Sequence, residues 1–184
     1  MFLISHFCLT FTHTQIALHL LRWHAATRDP LPHIPISLAE SDALKINELY
    51  QIENQTTVRV TYRDTDQMGH VYYANHLVWF EIGRTELVRQ MGISYHDMEQ
   101  ALGIFLPVVS VQIAYRAPAR YDDLIEIQTR VARLSHVGIE FRYRIVRREA
   151  RDEVLIAEGL SRHAFLGRDG KILKTGFEIL KIER

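Results

Sequence analysis

Asp64-Thr65-Asp66-Gln67-Met68-Gly69-His70-Val71-Tyr72-Tyr73-Ala74-Asn75-His76 is a polar loop caught between two regular runs. Before it, Val58-Arg59-Val60-Thr61-Tyr62 alternates and is rich in β-formers, which reads as a strand. After it, Leu77, Phe80, Arg84, Leu87/Val88 and Met91 fall at helical spacing on a mostly apolar face. Gly92 suits the stop, so the spacing predicts a helix from about Ala74 to Met91. Strand, acidic loop and helix set Asp66 beside a helix N-terminus. Free N–H groups and a partial positive charge there favour a developing anion. A carboxylate next to such a helix end is the minimum equipment for attack on a carbonyl group.

Downstream the text is strand-like. Ser94 to Leu102 reads as a second short helix, capped by Ser94 and closed by Gly103. Phe105 to Tyr115 is a first long β run. Asp122-Asp123 turns the chain into the alternation of Leu124 to Val131, and Ser135-His136-Val137-Gly138 turns it again into Glu140 to Ile145. Val154 to Leu166 follows, and Gly167-Arg168-Asp169-Gly170 is a hairpin signal before a short return at Lys171 to Leu173. One long helix and about five antiparallel strands make an α+β domain, with the helix laid across the sheet to bury its apolar face. The short connections predict an antiparallel meander.

The first 54 residues read differently, as an extension preceding a domain over 55–184. Met1 to Leu9 is apolar, and the apolar character recurs from Ile16 to Leu21, with no acid before Asp29. His6, His13, Gln15 and His19 interrupt what a membrane helix of about 20 apolar residues would need. No basic residues precede the apolar start, as a signal peptide would require. A disordered or loosely docked extension, or a start placed too far upstream, fits these features. Pro30, Pro32 and Pro35 then break regular structure, and Ser37-Leu38-Ala39-Glu40 has capping-box spacing for a short helix to about Tyr50.

Composition narrows the field. Among 184 residues, 22 Lys and Arg balance 22 Asp and Glu, so the chain carries no electrostatic footprint for nucleic acid. The single cysteine, Cys8, excludes an intrachain disulfide and fits a reducing, cytoplasmic compartment. The scattered histidines have no zinc spacing, and no metal or redox cofactor is implied.

Taken together, Asp64, Asp66, Gly69, Val71, Tyr73, Ala74 and Asn75, with the later run Tyr115-Arg116-Ala117-Pro118-Ala119-Arg120-Tyr121-Asp122-Asp123, resemble the hotdog fold. More closely, they resemble acyl-CoA thioesterases of the 4-hydroxybenzoyl-CoA thioesterase type, over about residues 56 to 180. The resemblance implies an acyl-CoA substrate, with Asp66 as the catalytic carboxylate and the backbone N–H of Tyr73 polarising the thioester carbonyl. It also implies a homodimer or homotetramer, its sheets joined edge to edge and each site at a subunit boundary. Gly69, His70 and Asn75 complete the expected site. The chain departs from the pattern at His76, where the family often has Tyr.

Each residue has a plainer reading beside this one. Acids before a helix are common caps, and Asp64 is assigned that role. Asp66 could attack the carbonyl or activate water. His70 could act in acid–base chemistry or merely pack. Glu81 could be a second acid or pair with Arg84 one turn on. Asn75 orders the first helical turn or a water. Arg133, Ser135 and His136, at a strand end, are candidates for the coenzyme A phosphates, as are Arg116 and Arg120. Arg142, Arg144 and Arg147 fit a solvated face. Trp79, Phe80, Met91 and Phe105 could line an acyl pocket or fill the core. An acyl carrier protein thioester, hydratase or dehydratase chemistry through His70, and a non-catalytic scaffold are the competing functions.

Overall fold

A computed structural model describes residues 49–149 and 152–174. The expectations for residues 1–48, including most of the capped helix before Tyr50, lie outside them.

The chain runs β1 (Glu53–Arg59), α1 (Asn75–Gln90), α2 (Tyr95–Gln100), β2 (Val108–Tyr115), β3 (Leu124–Ser135), β4 (Gly138–Arg148) and β5 (Glu153–Ala164). The strands form one antiparallel sheet in the order β1-β3-β4-β5-β2. This is the expected α+β arrangement; α1 is within a residue of its expected bounds, α2 ends two residues short of Leu102, and the strand read over Val58 to Tyr62 instead ends at Arg59, with Tyr62 in a 3-10 turn. β1 begins at Glu53, and Leu49 is already buried against the core.

The expected meander holds only for β3, β4 and β5. β2 leaves its sequence neighbours and pairs with β5 at the far edge. α1 lies across the sheet between the two edges: sixteen residues at 1.5 Å each give a rod of about 24 Å, and four strand spacings of about 4.8 Å span about 19 Å. It starts beside β2, where the His76 ring meets Tyr115, and ends beside β1, where Asn54 donates to Gln90. The segment after it, through α2, brings the chain back to the β2 edge, where Phe105 bridges Leu166.

The core lies between α1 and the inward face of β3, β4 and β5. Trp79, Phe80, Leu87 and Val88 meet Ile125, Ile127, Phe141, Tyr143 and Ile145, all nearly or fully buried. Phe80 stacks on Tyr143 with ring centroids 4.0 Å apart. Trp79, Phe80 and Met91 thus take the core reading. Gly83 is what lets α1 lie this close, since a Cβ there would strike the Thr129 hydroxyl and the Ile127 side chain.

The turns expected from sequence are present. Ser135 and Gly138 pair across the two-residue loop His136-Val137. Ser94 accepts from Asp97 N at 3.0 Å to cap α2. After Gly167, the short return is a single bridge, Leu166 to Ile172, rather than a strand. The face of the sheet away from α1 is polar, and several of its arginines pair with acids, as Arg144 does with Glu153 at 2.9 Å.

Candidate active site

The loop between β1 and α1 is built from its own acids. Thr61 starts a short 3-10 turn over Tyr62–Asp64. The Asp64 Oδ2 accepts from Thr61 N at 2.7 Å and from Thr61 Oγ1 at 2.6 Å, a closed capping box. Asp64 is therefore a cap, as expected. The chain then makes a small hairpin: Thr65 bridges Val71, and Asp66 N donates to His70 O at 2.8 Å. Gly69 closes it, with φ +72°, and its N–H donates to Asp66 O at 3.0 Å. The hairpin is tied outward by Val71 N to Ala119 O at 2.8 Å, which joins it to the 115–123 run. Asn75 Nδ2 donates to Asp64 O at 2.8 Å and locks the helix start onto the loop.

Within this frame the Asp66 carboxylate accepts one hydrogen bond, from Met68 N to Oδ1 at 2.8 Å. Among the described residues Oδ2 takes no protein donor. Asp66 lines a cleft of about 350 Å³ together with His70, Tyr73, His76, Tyr115 and Arg116. At the cleft the α1 ladder begins with Asn75 N to Tyr72 O, His76 N to Tyr73 O and Leu77 N to Ala74 O. The N–H groups of Tyr73 and Ala74 precede that ladder, and among the described residues neither donates to a protein carbonyl. Asp66 and Tyr73, which carries one of those helix-start N–H groups, thus line one cleft, the pairing that attack on a carbonyl requires.

Two further residues shape this corner. The Tyr115 hydroxyl donates to Tyr73 O at 3.1 Å, and burial holds its pKa above the ordinary phenol value. His76, only 4% exposed, also sets Nδ1 3.1 Å from Tyr73 O, and its ring meets Trp79 at 4.9 Å and Tyr115 at 5.0 Å. Burial lowers the His76 pKa, against an opposing pull from the Tyr73 and Tyr72 carbonyls. Sequence reading noted His76 only as a departure, and gave Tyr115 no role. Nothing local to either residue announces the shared carbonyl, because Tyr115 lies 42 positions from Tyr73.

The other expectations divide. Glu81 is exposed and sits 3.9 Å from Arg84, which favours the pairing role. Trp79 and Phe80 are core, not cleft. Arg133, Ser135 and His136 do not reach this cleft within one chain. Leu124 pairs with Arg59 at the loop end of the sheet, and Ser135 lies eleven positions further along β3, about 36 Å away at strand rise. A wider concavity, about 400 Å³, opens on the outer sheet face. Its acid, Glu158, is taken up by Arg116 at 2.8 Å, so it does not compete as a carbonyl site. Among the described residues no group of three His, Cys, Asp or Glu side chains is placed to hold a metal ion, and no helix is long and apolar enough to cross a membrane.

Comparison with known proteins agrees with the fold. The sequence pattern of the Thioesterase-like superfamily matches residues 60–178, and the chain belongs to that family. The acyl-CoA thioester hydrolase YbgC of Escherichia coli is 39% identical over 95 residues, 50% of this chain and 68% of its own length. YneP of Bacillus subtilis, named as a candidate acyl-CoA thioesterase, is 46% identical over 72 residues, 39% of this chain. The chain spans about half of YneP, 51%. The 4-hydroxybenzoyl-CoA thioesterase of Pseudomonas sp. strain CBS-3 superposes with a TM-score of 0.65, over 71% of this chain and 99% of that one. At 20% identity that likeness speaks for the hotdog fold alone.

Proposed function

We propose that this protein is an acyl-CoA thioesterase, hydrolysing a fatty or aromatic acyl-CoA to the free acid and coenzyme A, with Asp66 as its reacting carboxylate. The observation that carries the reading is the cleft itself. Asp66 has one oxygen held by Met68 N and the other without a protein donor among the described residues, in a cleft also lined by Tyr73, whose N–H at the helix start donates to no protein carbonyl. A thioester carbonyl is electrophilic and its thiolate leaves well. An oxygen nucleophile and an oxyanion donor supply what remains, and one such donor is worth about 3–4 kcal/mol. The names of YbgC and YneP support the substrate class.

A homodimer through β2 belongs to the same reading. β2 is an edge strand, and Val108, Val109 and Val111 expose apolar surface along it, which an unpaired edge rarely tolerates. Its far end, Tyr115, reaches the cleft. Arg133, Ser135 and His136 are assigned to the coenzyme phosphates, a role that needs a partner copy to bring that end of the sheet to the cleft.

A thiol-release assay tests the proposal, run with short, medium, long-chain and aromatic acyl-CoAs on the wild type and Asp66→Asn. Turnover is expected in the wild type and a loss of roughly 10²–10⁴-fold in the variant. Near-normal turnover in Asp66→Asn removes Asp66 from the chemistry. No turnover of any coenzyme A thioester by the wild type moves the substrate to an acyl carrier protein.

A further inference from the structure

His76 is buried at the cleft with one of its two nitrogens accounted for. Its Nδ1 lies 3.1 Å from the Tyr73 carbonyl oxygen. A carbonyl only accepts, so Nδ1 carries the proton, and in the neutral ring Nε2 is then a bare lone pair. Among the described residues Nε2 receives no donor. The buried side-chain atoms lacking a partner are Arg84 Nε, Tyr95 Oη and Thr129 Oγ1. His76 is not among them, and it lines the same cleft as Asp66.

We propose that His76 is the base that takes the proton of the hydrolytic water, leaving Asp66 to act as the nucleophile. The inference rests on the thioesterase reading above and assigns its proton transfers. An Asp66 oxygen bonds to the thioester carbonyl carbon, the C–S bond breaks, and coenzyme A leaves as the thiolate. Water then adds to the acyl carbon of the anhydride, and its proton passes to His76 Nε2. The acyl C–O bond to Asp66 breaks and restores the carboxylate. The imidazolium gives its proton to solvent, which balances the proton that the departed thiolate takes up there, so acid and thiol are formed with no atom or charge unaccounted for.

The surroundings suit a base that must start neutral. His76 is faced by Trp79 from its own helix, by Tyr115 from β2, and across the cleft by Asp66, His70 and Arg116. Arg116, the nearest permanent cation of that set, is held by Glu158 at 2.8 Å. Desolvation lowers the His76 pKa below the usual imidazole value and keeps Nε2 unprotonated at neutral pH. A tyrosine here would keep its proton at neutral pH and take none.

His76→Asn isolates the free nitrogen. The asparagine amide stands where Nδ1 was, so it can still donate to Tyr73 O, and only Nε2 is lost. The experiment is pre-steady-state thiol release with the best acyl-CoA of the panel, on the wild type, His76→Asn, His76→Tyr and Asp66→Asn, with thermal melts for folding. Expected are one equivalent of thiol released rapidly by His76→Asn, then turnover lowered 10²–10⁴-fold, and loss of the acid limb of the wild-type pH–rate profile. His76→Tyr, which fills the site and folds, should show the same burst and stall. Wild-type turnover and acid limb in either variant, or slowing without a burst, overturns the assignment. An active wild type with an inactive Asp66→Asn would leave the thioesterase reading standing in that event.

Discussion

His76 and His163 are both buried imidazoles, and they differ in how many of their ring nitrogens the fold engages. His163, 1% exposed on β5, has both nitrogens engaged. Its Nδ1 donates to Leu106 O at 2.9 Å, and its Nε2 is 2.8 Å from Ser161 Oγ. Ser161 in turn lies 2.6 Å from the Tyr143 hydroxyl, so the chain of donors runs Tyr143 to Ser161 to His163 to Leu106. Every member is satisfied, and the segment leading into β2 is pinned to β5. His76 has the same carbonyl anchor through Nδ1 and nothing on Nε2. Burial with full partnership serves stability. Burial with one partner withheld, beside a cleft, is the arrangement the proposed base needs.

Removing the two rings should therefore do opposite things. His163→Ala strands Leu106 O and Ser161 Oγ and leaves a cavity, so it should cost roughly 2–4 kcal/mol of stability, read by urea unfolding. The kcat of the molecules that remain folded should stay within a few-fold. His76→Asn should move the melt little and the turnover greatly. If His163→Ala silences the enzyme at full stability, the strut and the working residue have been misassigned.

A smaller effect tests what the rings share. Burial lowers the pKa of both His76 and His163 in the folded chain, the largest cause in each case. Unfolded, each would take a proton near pH 6.5. Between that value and the lower folded one, the unfolded state binds more protons, so stability falls as pH drops. Above about pH 6.5 neither group contributes a slope. Each can add at most about 1.4 kcal/mol per pH unit within its window. Unfolding free energies measured from pH 7.5 down to 5 should show the decline, and His163→Gln should remove its share. A slope unchanged in that variant would place the proton uptake elsewhere.

Local physics made much of this legible in the sequence. The alternation of Leu124 to Val131, the helical face from Leu77 to Met91 and the turn at Ser135-Gly138 each sit in a window of a few residues, and they form as read except that Leu77 is exposed while His76, Trp79 and Gly83 join the buried face. The Asp66 loop was legible for the same reason, since its bonds run within the loop and into the first turn of α1. What failed was what depends on distant contacts. The place of β2 follows from the path of the chain back across the sheet after α1 and from its pairing with β5, not from any residue in β2. The double anchor on Tyr73 O joins positions 73, 76 and 115, and the histidine strut joins 106, 143, 161 and 163. A lone Tyr or His carries no mark of which carbonyl it will find.

The contrast between full and partial partnership also recurs two residues apart in the loop. Asp64 Oδ2 is taken by both the backbone and the hydroxyl of Thr61, whereas Asp66 has a single bond to Met68 N. The cap fixes where the 3-10 turn begins, and Asp64 O receives Tyr72 N and Asn75 Nδ2, each at 2.8 Å. Those last two bonds use the backbone and survive a change of side chain. Asp64→Ala should thus cost about 1 kcal/mol, the usual worth of a cap, and leave kcat/KM of the folded enzyme within a few-fold. Asp66→Asn should do the reverse, with little change in unfolding free energy and a large loss of turnover. Measured side by side by urea titration and thiol release, the pair separates the acid that shapes the loop from the acid the loop presents. Should Asp64→Ala lose activity as completely as Asp66→Asn while staying folded, the two acids act as one unit and the division between them falls.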